Sequence, residues 1–135
     1  MAVPSSPTFT AFLAGTVVPL EQVPDPVFAG RMMGDGLAIE PPADAPQTLR
    51  APCAGTIVQL HASHHACFLQ TEAGTRLLLH IGIDTVLLKG EGFTPRVAAG
   101  DRVETGAPLI EFDPAVLARH GKPAITVLAI ENSDE

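Results

Sequence analysis

Apolar and polar residues alternate along this chain in short runs, and turn residues cut most runs before they reach helical length. Thr56-Ile57-Val58-Gln59-Leu60 and Ala66-Cys67-Phe68-Leu69-Gln70-Thr71 are two β-rich runs, Glu72-Ala73-Gly74-Thr75 is a turn, and Arg76 to Ile83 is a third run. In the third run the two-residue period of a strand puts Arg76, Leu78, His80 and Gly82 on one face and Leu77, Leu79, Ile81 and Ile83 on the other. The purely aliphatic face is the core candidate, so His80 faces away from it. If the second and third runs pair across the turn, His65 and His80 become neighbours.

The same punctuation runs through the whole chain, where 13 prolines and 12 glycines leave little room for helices. Leu13-Ala14-Gly15-Thr16-Val17-Val18-Pro19-Leu20 recurs 40 positions later as Cys53-Ala54-Gly55-Thr56-Ile57-Val58-Gln59-Leu60, each copy entering a strand through Ala-Gly-Thr. Two copies do not make a solenoid, and a pseudo-symmetric β-sandwich or barrel from an internal duplication is the simpler account. Gly100 to Ile110 adds a turn, a short strand and another turn. One helix is predicted over Pro114 to His120, with Asp113 as N-cap, proline in the first turn and Gly121 as the stop. The expected fold is all-β and antiparallel, with at most short helical turns.

A chain of 135 residues, 46% hydrophobic, suits one domain with one core, and six Phe with no Trp or Tyr imply a core of Val, Leu, Ile and Ala. The net charge of −7 disfavours nucleic acid and anionic membrane surfaces as partners. No apolar run approaches a membrane span, and no basic segment followed by a long apolar stretch opens the chain. These features predict a soluble, cytoplasmic protein without direct membrane insertion. Cys53 and Cys67 have neither metal spacing nor a secreted context and are expected as free, buried thiols.

Against this background His80 is the residue that needs a chemical account. A neutral imidazole can be a nucleophile, a general base or a metal ligand, and Gly82 lets backbone or a partner approach the ring. The bland alternative is a core histidine with both nitrogens hydrogen-bonded. His120, near the end of the predicted helix, is expected to be structural or exposed, His61 to lie at the surface, and Asp84 to be structural, capping a turn.

From about Phe12 to Ile130 the chain resembles the glucose-type enzyme IIA domain of the bacterial sugar phosphotransferase system (glucose/N-acetylglucosamine family). The resemblance is carried by Val23-Pro24-Asp25-Pro26-Val27-Phe28, Gly34-Asp35-Gly36-Leu37-Ala38-Ile39, Ala51-Pro52-Cys53-Ala54-Gly55-Thr56, His80-Ile81-Gly82-Ile83-Asp84-Thr85-Val86 and Lys89-Gly90-Glu91-Gly92-Phe93. It implies a duplicated hybrid motif fold and a domain over residues 11–131, with a flexible segment at 1–10 and a tail or start of a linker at 132–135. It also implies that His80 carries the phosphoryl group, that His65 assists and that Ser63, where the family has Thr, orients the assistant. The family's Asn before the assisting histidine is His64 here, which leaves His64 as the alternative assistant.

The resemblance implies further that phosphoryl arrives from the histidine phosphocarrier protein and leaves to the IIB domain of a sugar permease. The docking surface falls on Val27, Phe28, Met32, Met33, Phe68 and Val86. No cofactor is required. Zinc is expected at His65 and His80 only when a partner adds a carboxylate. The chain is expected to be free-standing or the leading domain of a fusion with the phosphocarrier and enzyme I. Two other classes compete. His80-x-x-x-Asp84 is also the first ligand pair of lysostaphin-type zinc metallopeptidases, although the H-x-H segment they need downstream is missing. A non-catalytic regulatory binding domain is the other.

Overall fold

The computed structural model describes residues 11–25, 35–42 and 44–130. Among the described residues ten strands follow one another: β1 (Thr16–Pro19), β2 (Asp35–Glu40), β3 (Gln47–Arg50), β4 (Gly55–Leu60), β5 (Ala66–Gln70), β6 (Arg76–Ile81), β7 (Phe93–Pro95), β8 (Arg102–Val103), β9 (Pro108–Phe112) and β10 (Thr126–Ile130). Two single 3-10 turns, Leu20–Gln22 and Thr85–Leu88, and one helix, Pro114–Arg119, complete the described elements. Asp113 caps that helix by accepting the Ala115 N–H at 3.0 Å, and Gly121 ends it at a φ of 70°, as the sequence predicts. No helix among the described residues is long and apolar enough to cross a membrane.

The strands pair antiparallel into a seven-stranded sheet ordered β1-β2-β10-β6-β5-β4-β8 and a three-stranded sheet ordered β3-β9-β7. The main core lies between them, where Ile57, Leu69, Leu77, Leu79 and Ile81 meet Leu49, Phe93, Ile110 and Phe112. The aliphatic face of β6 predicted from alternation is thus the core face through Ile81. The outer face of the large sheet is also covered, by a second apolar cluster in which Leu20, Val23, Ile83 and Ile125 pack on Ala38, Leu78, Val127 and Ala129. The two sheets remain open, with β1 and β8 as the ends of the larger one. Of the two predicted closures, sandwich and barrel, the molecule is a sandwich.

The order of the large sheet reads symmetrically outward from the central β10–β6 pair: β2 and β1 on one side, β5 and β4 on the other. This puts the two Ala-Gly-Thr copies at equivalent places, with Thr16 opposite Glu40 and Thr56 opposite Gln70. A Cβ on Gly15 would come 2.2 Å from the Glu40 carbonyl oxygen, and one on Gly55 would come 2.5 Å from that of Gln70. Each glycine admits a neighbouring strand's carbonyl where a side chain would collide, so the repeated sequence has one repeated physical cause. Both cysteines are free thiols, but only Cys67 is buried as expected; Cys53 is half-buried. Burial pushes the Cys67 thiol up to about 12, which makes it inert.

Candidate functional site

The β4–β5 hairpin carries the first part of the site. Its neck is closed by the His61 N–H donating to the Ala66 carbonyl at 2.9 Å, and its turn by the His64 N–H donating to the His61 carbonyl at 2.8 Å. His64 takes a left-handed φ of 62°, a conformation that Asn, Asp and His adopt more readily than other side chains. That backbone requirement is one His64 can meet as well as the Asn that the resemblance implies at this position. The ring of His64 is turned toward the 90s loop, its Nδ1 being 3.8 Å from where a Cβ on Gly90 would stand.

The next residue reaches the neighbouring strand. Ala66 is the register partner of His80, and the Ile81 N–H donates to the His65 carbonyl at 2.8 Å. This pairing sets the His65 and His80 rings edge to face, 4.8 Å between centroids at an interplanar angle of 85°. His65, not His64, is therefore the ring that meets His80. His65 is only 3% exposed, and its Nδ1 is buried without a hydrogen-bond partner. Burial first, then the neighbouring His80 and His61, push its pKa down to about 3, so the ring is neutral at physiological pH.

His80 is held from its other side. Its Nδ1 lies 2.8 Å from the Gly82 carbonyl oxygen. A carbonyl can only accept, so Nδ1 carries the proton and Nε2 the in-plane lone pair. Burial lowers the His80 pKa, against the Gly82 carbonyl and the Asp25 and Asp84 carboxylates, which raise it; His61 adds to the lowering. The ring is a neutral imidazole in one tautomer. The carbonyl that selects the tautomer is itself fixed. Gly82 adopts φ 75° and a Cβ there would lie 2.4 Å from Thr85 Cγ2 and 2.7 Å from the Pro123 oxygen. Its N–H donates to the Ile125 carbonyl at 2.8 Å, and the buried Thr85 hydroxyl donates to the Ile81 carbonyl at 2.5 Å.

Some expectations need correction. The predicted third run ends as a strand at Ile81, because the left-handed Gly82 turns the chain and sends Ile83 into the second cluster rather than the main core. Asp84 caps by its backbone, not its side chain: it sits at φ 58° before the 3-10 turn and makes no side-chain cap bond, while its carbonyl accepts the Leu87 N–H at 3.1 Å. His61 is half-buried instead of superficial, its ring 4.5 Å from that of His65. The Ser63 N–H donates to His61 Nδ1 at 3.0 Å, and His65 Nδ1 takes no hydrogen bond from the Ser63 hydroxyl. His61 and Asp25 were not assigned to the site from sequence, and the signal for His61 was its place at the hairpin neck, where strand pairing returns it to Ala66 and hence to His65. His120 is exposed and paired with Glu91 at 3.1 Å, as expected of a structural residue.

Of the six docking residues, Val27, Phe28, Met32 and Met33 lie outside the described residues. Phe68 is half-buried on β5 opposite Leu78, on the His80 side of the sheet. Val86 is 42% exposed and Leu87 65%, in the turn that follows Gly82. For a metal, His65 and His80 offer two nitrogens, and the orphaned Nδ1 of His65 is a donor atom in want of a partner. Among the described residues no group of three or more His, Cys, Asp or Glu is arranged to hold a metal ion. His65 and His80 alone do not complete a metal site among the described residues.

The profile of the phosphoenolpyruvate-dependent sugar phosphotransferase system, EIIA 1 family matches residues 7–135. A glucose-specific EIIA component of Bacillus cereus is 44% identical over 127 residues, covering 94% of this chain and 75% of that protein. A glucose-specific EIIBCA component of Corynebacterium glutamicum is 43% identical over 126 residues, covering 93% of this chain and 18% of the other. Among solved structures, glucose permease IIA from Mycoplasma capricolum superposes with a TM-score of 0.88 at 34% identity, covering 98% of this chain and 84% of that one.

Proposed function

The chain belongs to the phosphoenolpyruvate-dependent sugar phosphotransferase system EIIA 1 family, and on that premise we propose that its phosphoryl transfer runs through Nε2 of His80. It is a phosphotransferase of sugar uptake, and the steps follow from the charge arrangement. Nε2 of neutral His80 attacks the phosphorus of an incoming phosphohistidine. The new N–P bond forms as the donor's N–P bond breaks, and the broken bond's electron pair stays on the donor ring. Nδ1 keeps its proton on the Gly82 carbonyl throughout, which spreads the positive charge that develops on the ring. In the forward step an acceptor nucleophile takes the phosphoryl and His80 recovers its lone pair.

His65 assists by donating to the phosphoryl oxygens as charge passes over it. Ser63 contributes through the hairpin turn it helps to shape. The donor is the histidine phosphocarrier protein and the acceptor the IIB domain of a sugar permease, meeting in the cytoplasm. The EIIBCA relative, in which IIA is named together with B and C in one component, supports that acceptor. Docking falls on Val27, Phe28, Met32, Met33, Phe68 and Val86, the last exposed beside the site. Zinc binds His65 and His80 only where a partner completes the ligand set. A lysostaphin-like peptidase and a non-catalytic module have no support from the family or from the donor set.

The observation that carries the reading is the 2.8 Å contact between His80 Nδ1 and the Gly82 carbonyl, which leaves the nucleophilic lone pair on Nε2. Incubation with enzyme I, the phosphocarrier and phosphoenolpyruvate should add one acid-labile phosphoryl group, read by intact mass at alkaline pH, and His80→Ala should abolish it. Unchanged labelling of that variant would overturn the assignment.

A further inference from the structure

Five successive main-chain groups at the end of β6 each have a partner. The Ile81 N–H donates to the His65 carbonyl at 2.8 Å, the Ile81 carbonyl accepts the Thr85 hydroxyl at 2.5 Å, and the Gly82 N–H donates to the Ile125 carbonyl at 2.8 Å. The Gly82 carbonyl then accepts from His80 Nδ1 at 2.8 Å, and the Ile83 N–H donates to the Pro123 carbonyl at 3.3 Å. The two peptide units that meet at the Gly82 Cα are therefore each held at both the oxygen and the N–H. Three of these partners are main-chain carbonyls and one is the nucleophile's own ring, so Thr85 is the side chain that holds the turn from outside the reaction. On the reading that His80 carries the phosphoryl group, we propose that Thr85 is a positioning residue of the transfer: its hydroxyl pins the Ile81–Gly82 peptide, and so keeps the next carbonyl aimed at His80 Nδ1.

A glycine needs such a clamp more than another residue would. Position 82 has no room for a side chain, since a Cβ would lie 2.4 Å from Thr85 Cγ2 and 2.7 Å from the Pro123 oxygen, but the missing Cβ also leaves the backbone free to turn. If the Ile81–Gly82 peptide rotated, the Gly82 carbonyl would swing away from the ring. The proton could then sit on either nitrogen, and Nε2 would hold its lone pair only part of the time. Thr85 meets the need with both branches of its Cβ: the hydroxyl reaches back four residues to the Ile81 carbonyl, and the methyl fills the space that Gly82 leaves. It is brought there by the left-handed Gly82 and Asp84, at φ 75° and 58°, which fold the chain back on itself. At 0% exposure its bond has no competition from water. Valine keeps the methyl without the hydroxyl and serine the hydroxyl without the methyl, so the two substitutions separate holding the peptide from filling the space.

The test uses the full chain, labelled with 15N and 13C, as the unmodified protein, Thr85→Val and Thr85→Ser. In long-range 1H–15N spectra before phosphorylation, His80 should show a protonated Nδ1 and a bare Nε2 in the unmodified protein and in Thr85→Ser, and a mixture of tautomers in Thr85→Val. With enzyme I, the phosphocarrier and phosphoenolpyruvate, the maximal rate of loading His80 should fall roughly tenfold in Thr85→Val at an unchanged half-saturating phosphocarrier concentration, and Thr85→Ser should recover most of it. A Thr85→Val protein with one tautomer and the unaltered rate overturns the proposal, as does a Thr85→Ser protein as impaired as Thr85→Val. Should Thr85→Val not fold, the scalar couplings that report the Thr85 side-chain angle in the unmodified protein decide. A single rotamer with the hydroxyl on the Ile81 carbonyl supports the clamp, and an averaged one overturns it. A tautomer that shifts in Thr85→Val while the unmodified protein takes up no phosphoryl group by intact mass overturns the His80 reading and the transfer role resting on it. A tautomer that stays fixed while the unmodified protein is phosphorylated overturns this proposal alone.

Discussion

A histidine works as a phosphoryl carrier only if it is neutral, in the right tautomer, and flanked by something that can manage charge; here each condition has its own cause. Burial keeps His80 neutral, the Gly82 carbonyl selects its tautomer, and His65 stands 4.8 Å away. Holding His65 neutral has a thermodynamic consequence. Its pKa is near 3 in the fold and near 6.5 in the unfolded chain, so between those values the unfolded state binds more protons. The contribution of His65 to stability is nearly full above pH 6.5 and declines as pH falls toward 3. Between pH 7 and 5 this amounts to about 2 kcal/mol. Denaturant unfolding should show His65→Gln losing correspondingly less stability over that interval. The same variant should accept phosphoryl at His80 but pass it to the permease domain roughly 100-fold more slowly. An unchanged acid slope would mean that His65 is charged in the fold, and a larger transfer defect in His64→Gln would make His64 the assistant.

At the scale of elements, the turn after β6 is the part on which the site depends most. Gly82→Ala would force a left-handed Ala and set its Cβ 2.4 Å from Thr85 Cγ2. It should cost roughly 2–4 kcal/mol of stability. The folded fraction should also be phosphorylated more slowly, because the carbonyl that orients His80 is displaced. Full activity in a stable Gly82→Ala protein would show that this carbonyl does not set the tautomer. The same turn marks where the sequence stopped being legible. Alternation located β4, β5, β6 and the core face of Leu77, Leu79 and Ile81, because a strand's period is carried in every residue. It also carried Ile83 along with them, since nothing in the period records a left-handed glycine between Ile81 and Ile83. His61 was misplaced for a related reason: strand phase puts it outward, whereas the hairpin neck brings it back onto His65. The repeated Ala-Gly-Thr was readable as a duplication, and its cause, a carbonyl pressed against each glycine, required the neighbouring strands. Whether the sheet closed could not be read from pattern at all, because closure depends on β1 and β8 meeting, and they do not.

On the scale of the whole molecule, two apolar clusters pack on the large sheet from both sides and support the end of β6. Packing on both faces suits the proposed transfer through His80, since a donor and an acceptor would each have to find its nitrogen in one place. The exposed Val86 and Leu87 beside it supply apolar surface, and the net charge of −7 favours basic partners at long range. The central claim reduces to one atom: the phosphoryl group is bonded to Nε2 of His80 while Nδ1 remains protonated on the Gly82 carbonyl. Phosphorus–nitrogen coupling in the 15N-labelled, phosphorylated protein reads this directly. The account predicts coupling of a single phosphorus to His80 Nε2 with a retained Nδ1–H resonance; coupling to Nδ1, or to a nitrogen of His65 or His64, would contradict it.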